Sequence, residues 1–478
     1  MEVSLPIPRL LAALLVGYVL FFFGLTGAGL LGPDEPRYAS IGREMAHSGD
    51  WVTPALWGTP WFEKPPLLYW MVAIATRLGL SGESAARAPV ALLSVAFLGF
   101  YHWWLARQFS RRAAWCATAV LATSAGWLSF SQLSLTDLPL AATFSAAMLL
   151  CLPWAAGVTS SRPMLAGGVL LGLAVLAKGL VPLVLALPLL WIGRRKLASL
   201  AAPAAIMLAT ATPWYLLAAA RHGRPFLEEF FWRHHFQRFT TTELQHVQPF
   251  WFFVPVLLAG LFPWTPLLFA RHRFDDPRRR FLLSWLAWGF VFFSISTNKL
   301  PGYLLPVLPA AAAMLGLHLA EAKRLPWLAS CALLLAAVPV IGEALPPALE
   351  SGLSRTAIPI GALWYGLPAV MVAALAWRFE GAGRRGLAIG SIVVMTVAGV
   401  LWLKLRVYPD LDARVSARAV WRQIEPQRSQ VCLGEVGRSL RYGLGYYSEG
   451  SLSACADKPA PIRVVQPPRG AVLLTPDL

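Results

Sequence analysis

Apolar stretches of about 20 residues recur along most of this chain, separated by short polar breaks. Few folds tolerate that pattern. A hydrocarbon core about 30 Å thick demands helices of this length, because each backbone N–H and C=O must find its partner within the segment. Of the 478 residues, 57% are hydrophobic and 14% charged, too apolar for a soluble core of this size. The fold class expected is therefore an all-α polytopic membrane protein. The first run, 10–31, is longer than a signal-peptide core and ends in Gly32-Pro33-Asp34-Glu35 without a small-residue cleavage site, so it reads as a retained first span. The 21 Trp and 11 Tyr suit membrane interfaces.

Charge then orders the spans. The short basic breaks hold Arg107, Arg111 and Arg112; Arg162; Arg194, Arg195 and Lys196; Arg271, Arg273, Arg278, Arg279 and Arg280; Lys323 and Arg324; and Arg378, Arg384 and Arg385. They alternate with breaks poorer in Lys and Arg, so all share one side, the cytoplasm by the positive-inside rule. Arg9 joins them only if the run 66–81 does not cross. That run is short and opens with Pro65-Pro66, so it reads as interfacial or re-entrant. About 13 spans remain, with the N-terminus cytoplasmic and the C-terminus outside. The net charge of +17 is explained by topology, and no nucleic-acid partner is expected.

Two regions follow. Residues 1–405 form a transmembrane catalytic domain with outer loops at 32–87 and 221–249. Residues 406–478 form a small extracytoplasmic α/β domain, with a helix over 412–425 and strands near Val431-Cys432-Leu433 and Val464-Val465. Cys432 and Cys455 lie in this polar stretch, where a disulfide is chemically permitted. Cys116, Cys151 and Cys331 lie in apolar runs and read as packing residues.

On this topology the ionisable groups at the edges of spans all face outward. A charged group there costs free energy unless it has a partner or a task. Asp34 starts a helix in which Pro36 suits the first turn, Tyr38, Ile41 and Met45 form an apolar stripe, and Gly49 ends the helix. Asp34 is either a plain N-cap or a general base held on a rigid element. Glu63-Lys64 precedes the double proline; Lys64 either snorkels to lipid headgroups or neutralises a phosphate. Asp137 is a helix cap or a second working carboxylate. Lys178 splits an apolar run and needs a partner. Lys299 and Tyr303 lie in a polar, kinked link between spans. The stretch Phe231-Trp232-Arg233-His234-His235-Phe236-Gln237-Arg238-Phe239 alternates rings with cations, as suits anionic headgroups or phosphates. His234 and His235 could bind a metal with Glu63, although a histidine pair is more often plain polar surface.

Carboxylates beside cations at headgroup depth suit transfer of a sugar from a lipid phosphate. No nucleotide-phosphate loop is present. A lipid-flippase or transporter reading also predicts intramembrane charge, but places it near the midplane and within repeats, neither of which is visible here.

These strings, in this order, resemble the GT-C superfamily of integral-membrane glycosyltransferases: Asp34-Glu35-Pro36-Arg37-Tyr38, Phe62-Glu63-Lys64-Pro65-Pro66, Leu135-Thr136-Asp137, Ala177-Lys178-Gly179, His235-Phe236-Gln237-Arg238-Phe239 and Asn298-Lys299-Leu300-Pro301-Gly302-Tyr303. The branch they resemble contains the lipid A aminoarabinose transferase and the protein O-mannosyltransferases. The resemblance implies a polyprenyl-phosphate-sugar donor, a lipid A-like, glycan or protein acceptor, and a periplasmic active site in the bacterial inner membrane. It implies that Asp34 and Asp137 are catalytic and that Lys64, Lys178, Arg238 and Lys299 bind the donor phosphate. Glu35, Arg37, Tyr38 and Tyr303 are implied as further site residues. Glu63 and His235 are implied as ligands of a divalent metal.

Overall fold

The computed structural model describes residues 7–158, 162–192, 194, 196–237, 247–270, 274–323, 326–466 and 473–476. The described residues are mostly helical, with a short hairpin at 55–60 and a small sheet near the C-terminus. Six of the described helical stretches have the length and apolarity to cross a membrane: 82–108, 197–232, 301–321, 327–351, 360–381 and 385–414. Other apolar runs are built from shorter helices. The run 179–193, for example, is divided into Val181–Leu185 and Leu187–Ile192.

The first run is also not one helix. Helix α1 (Ile7–Gly17) gains a π-helical turn, Tyr18–Phe22, and the chain leaves helical geometry at Phe23. The residues up to Pro33 are irregular, and their carbonyls are satisfied from elsewhere. Within the π-helical turn itself, Lys404 Nζ donates to the carbonyls of Val19 (2.8 Å) and Leu20 (3.1 Å). Arg87 donates to those of Leu25, Ala28 and Gly29 at 2.6–2.8 Å.

Helix α2 (Asp34–Ser48) follows and stops at Gly49, whose φ of 74° suits glycine. Its Tyr38, Ile41 and Met45 are buried as the stripe predicts. The helix packs inside the protein, against α3 (Leu67–Arg77). Between them a tight hairpin pairs β1 (Ala55–Leu56) with β2 (Thr59–Pro60). Helix α3 has 11 residues and rises only about 16 Å, half the thickness of a bilayer core.

The body is built from α4 (Gly82–Gln108), α5 (Arg111–Thr123), α6 (Ala125–Phe130), α7 (Asp137–Leu150), α8 (Arg162–Lys178), α9 (Ala201–Leu227), α10 (Pro277–Ile295), α11 (Leu308–Glu321) and α12 (Arg385–Trp402). Helix α5 packs between α4 and α11, and α8 between α7 and α9. The core they share is aliphatic and aromatic, with Trp127, Phe144, Trp264 and Trp285 fully buried.

The helix expected over 412–425 is two, α13 (Tyr408–Arg414) and α14 (Ala417–Ile424), because Ser416 starts a new helix by accepting from the Arg418 amide. Strand β3 (Val431–Leu433) runs parallel to β4 (Ile462–Val465), which pairs antiparallel with β5 (Leu473–Pro476). The parallel pair requires a crossover, supplied by α15 (Arg438–Tyr447). Trp421, Leu440, Leu444 and Val464 close a separate small core. Cys432 and Cys455 are disulfide-bonded.

This C-terminal segment is docked on the irregular residues after α1. Asp412 accepts from the Gly29 amide (2.8 Å) and from Arg418 Nε (2.9 Å). Arg418 also pairs with Glu83 (3.0 Å), and the Tyr447 hydroxyl donates to that same carboxylate (2.8 Å) while accepting from the Leu30 amide (3.0 Å).

Candidate functional site

Asp34 is the first helical residue of α2 and not its N-cap: Pro33 holds that position and no side chain caps the helix. The carboxylate is therefore available, and the helix start favours its charge. It accepts from Arg37 Nη2 at 2.5 Å and keeps 42% of its side-chain surface exposed. Arg37 is buried. The same Nη2 lies 2.9 Å from Glu63 Oε2, and Lys64 Nζ lies 3.1 Å from Glu63 Oε1. Burial opposes the Arg37 charge, but Glu63 and Asp34 outweigh it and hold its pKa above the usual arginine range. Burial, reinforced by these same carboxylates, raises the Tyr38 and Tyr69 phenols well above their ordinary value. Both stay neutral donors.

Asp137 repeats the arrangement. It is the first residue of α7, and its Oδ1 accepts from Lys178 Nζ, on the last residue of α8, at 2.6 Å. A carboxylate at a helix start facing an ammonium at a helix end is favourable for both dipoles. The lysine that splits the apolar run thus has a partner. The Tyr303 ring centroid lies 4.9 Å from Nζ, within cation–π range. Gly302 fits against Asp137 because it has no Cβ: an added one would lie 2.5 Å from Oδ1 and 2.8 Å from the Phe130 ring.

Two connections bring these pairs together. Phe62, beside Glu63, shares a buried cluster with Val175 and Leu176, just before Lys178. The second connection is Glu35, which the sequence placed among the site candidates and which has a different task. It is 1% exposed and accepts from Arg87 through both oxygens (2.7 and 2.8 Å), from the Leu31 amide (2.8 Å) and from the Ser134 amide (2.9 Å). A carboxylate so saturated faces no substrate. It clamps the start of α2 to the segment that leads into Asp137.

Lys299 likewise is buried, with Nζ donating to the carbonyls of Gln248 (3.0 Å) and Ser296. It braces the link that delivers Gly302 and Tyr303. Arg238 lies outside the described residues. His235 belongs to a π-helical stretch, Glu228–Gln237, and its side chain lies outside them too. Among the described residues no three His, Cys, Asp or Glu converge as metal ligands. Among the described residues, Glu63 Oε2 faces Arg37 and Oε1 faces Lys64.

Residues absent from the sequence reading also gather here. Trp57, Trp61 and Tyr442 surround Arg37 or each other, and Arg37 Nε, Trp57 Nε1, Trp61 Nε1 and Tyr69 Oη are buried donors with no hydrogen-bond partner. Arg87 carried a readable signal, being an arginine at the head of an apolar run, the kind of position that marked Lys178. Tyr442 carried none. Together the groups offer one accessible carboxylate, a second carboxylate–lysine pair and several donors suited to an oxygen-rich, anionic ligand.

Comparison with known proteins agrees with this chemistry. Residues 7–221 match the family described as dolichyl-phosphate-mannose-protein mannosyltransferase. The chain is 33% identical over 414 residues to the undecaprenyl phosphate-alpha-4-amino-4-deoxy-L-arabinose arabinosyl transferase of Edwardsiella ictaluri, covering 81% of this chain and 70% of that one. It is 35% identical over 324 residues to the enzyme of that name from Serratia proteamaculans, covering 63% of this chain and 57% of that one. The chain thus spans 57% to 70% of the length of these relatives. The crystal structure of ArnT from Cupriavidus metallidurans bound to undecaprenyl phosphate superimposes with a TM-score of 0.73 at 26% identity, over 96% of this chain and 93% of that one. The arabinosyltransferase EmbB from Mycobacterium smegmatis shares the fold alone, with a TM-score of 0.53 at 15% identity, over 88% of this chain and 44% of that one.

Proposed function

The chain belongs to the undecaprenyl phosphate-aminoarabinose transferase family of GT-C membrane glycosyltransferases, and we propose on that premise that it moves a sugar from a polyprenyl-phosphate donor to a lipid or glycan acceptor. The reaction takes place on the periplasmic face of the bacterial inner membrane. The observation that carries this reading is the pairing of each helix-start carboxylate with a cation, with the two pairs joined through Glu35 and Ser134.

The chemistry follows from those positions. The acceptor oxygen bonds to the anomeric carbon as the bond from that carbon to the phosphate oxygen breaks. The electron pair leaves with the polyprenyl phosphate, and Lys64 and Lys178 neutralise it. Attack from the face opposite the leaving group inverts the anomeric centre. A hydroxyl acceptor gives its proton to Asp34, the more exposed of the two carboxylates. An acceptor phosphate arrives already anionic and needs little base.

A second reading keeps the donor and changes the acceptor. The match of residues 7–221 to a protein mannosyltransferase family favours a protein hydroxyl. Purified protein is to be incubated with radiolabelled undecaprenyl-phosphate sugar and envelope extract, and the products separated. Label in the lipid and glycan fractions supports the first reading; label in protein supports the second. Label that crosses vesicles without entering any new covalent product identifies a transporter and ends both.

A further inference from the structure

Both ion pairs of Arg37 use a single nitrogen, Nη2, and its Nε has no hydrogen-bond partner. Two bonds to one nitrogen leave the guanidinium plane free to pivot about it. What removes that freedom is aromatic. Three rings lie 5.3–5.4 Å from the guanidinium carbon: Tyr38, Trp61 and Tyr442. The first two belong to the segment that carries Asp34 and Glu63. Tyr442 comes from α15, at the other end of the chain.

Helix α15 is held against α2 by contacts that do not involve Tyr442. Arg43 Nη2 donates to the Tyr446 carbonyl at 2.8 Å, and the Arg43 guanidinium lies over the Tyr446 ring at 4.5 Å. The Tyr446 hydroxyl donates to the Gly82 carbonyl at 2.9 Å. The Trp57 indole lies against Gly445, where an added Cβ would sit 2.3 Å from the ring. Trp57 holds a φ of 54°, and its amide and that of Gly58 both donate to Glu44 at 2.8 Å. The hairpin tip and α15 thus form one unit, and its ring nearest the site is Tyr442, 5.8 Å from Trp57.

We propose that Tyr442 is a positioning residue: it fixes the Arg37 guanidinium by a cation–π contact, and Arg37 in turn fixes Asp34 for attack. The C-terminal segment therefore completes the active site. The inference rests on the glycosyl-transfer reading. It gives the tail a catalytic consequence separate from any choice of acceptor.

The test uses the full-length protein with labelled undecaprenyl-phosphate sugar. Tyr442→Ala lowers kcat about tenfold, leaves the donor KM within about twofold and leaves Tm close to wild type, because the other contacts keep α15 docked. Tyr442→Phe keeps the ring and retains at least about half the rate. A Tyr442→Ala enzyme as fast as wild type overturns the proposal. So does a Tyr442→Phe enzyme as slow as Tyr442→Ala, or a loss expressed mainly in KM. The double variant Arg37→Met/Tyr442→Ala is no slower than Arg37→Met alone; additive losses contradict action through Arg37. If wild type transfers no sugar, the functional reading fails. Experimental structures of wild type and Tyr442→Ala then still report whether Tyr442 holds Arg37: a displaced guanidinium supports the contact, and an unmoved one refutes it.

Discussion

Lys178 Nζ donates to Asp137 Oδ1 at 2.6 Å, joining the last residue of α8 to the first residue of α7. Each group is about 85% buried, so neither is well solvated without the other. The pair therefore serves the fold and the site together. Lys178→Met leaves a largely buried carboxylate without its cation and costs about 3 kcal/mol of stability. Lys178→Met/Asp137→Leu recovers most of that loss and no sugar transfer. Thermal unfolding and transfer assays on the four proteins check both expectations.

Glu35 and Asp34 are neighbours with opposite tasks. Glu35→Gln removes the charge that faces Arg87 and unfastens the start of α2 from the segment before Asp137, lowering stability by about 3 kcal/mol. Asp34→Asn, at a far more exposed carboxylate, leaves Tm nearly unchanged. Differential scanning fluorimetry of the two variants checks this difference in stability.

Gly302→Ala places a methyl where Asp137 Oδ1 and Phe130 already lie. The carboxylate has to shift, and a misplacement of about 1 Å costs on the order of a hundredfold in rate. The expected result is a folded protein with a collapsed kcat, measured by transfer assay beside its melting curve.

Asp50 gives a pH signature outside the membrane helices. Burial works to raise its pKa, but the Val52 and Thr53 amides and Arg221 outweigh burial and lower it. A lowered carboxylate pKa contributes stability that is complete above the unfolded value of about 3.9 and is lost as pH falls through the folded value. Tm of wild type therefore drops between pH 6 and pH 3 more than that of Asp50→Asn. Equal drops remove this residue from the pH dependence.

The apolar periodicity and the isolated charges carried the helical class, the Asp34 and Asp137 helix starts, the Gly49 stop and the need of Lys178 for a partner. Those features are local: a span, a cap or an uncompensated charge is visible in a few residues. The clamp made by Glu35 is not legible in sequence, because its partner Arg87 comes from another helix. The anchoring of Lys299 is hidden for a similar reason, since its acceptors are backbone carbonyls that no side-chain pattern reveals. Tyr442 was invisible because the docking of α15 on α2 joins opposite ends of the chain. The break at Val415-Ser416 is not legible in sequence, because Ser416 resembles any polar helix residue and its capping bond to the Arg418 amide depends on the local geometry.

The most direct measurement is the rate of labelled-sugar transfer from undecaprenyl phosphate by Asp34→Asn and wild type, at matched Tm and matched donor binding. The geometry predicts that the asparagine variant binds donor and loses at least about a hundredfold in kcat. Equal rates in the two proteins would contradict the assignment of Asp34 and the catalytic site built around it.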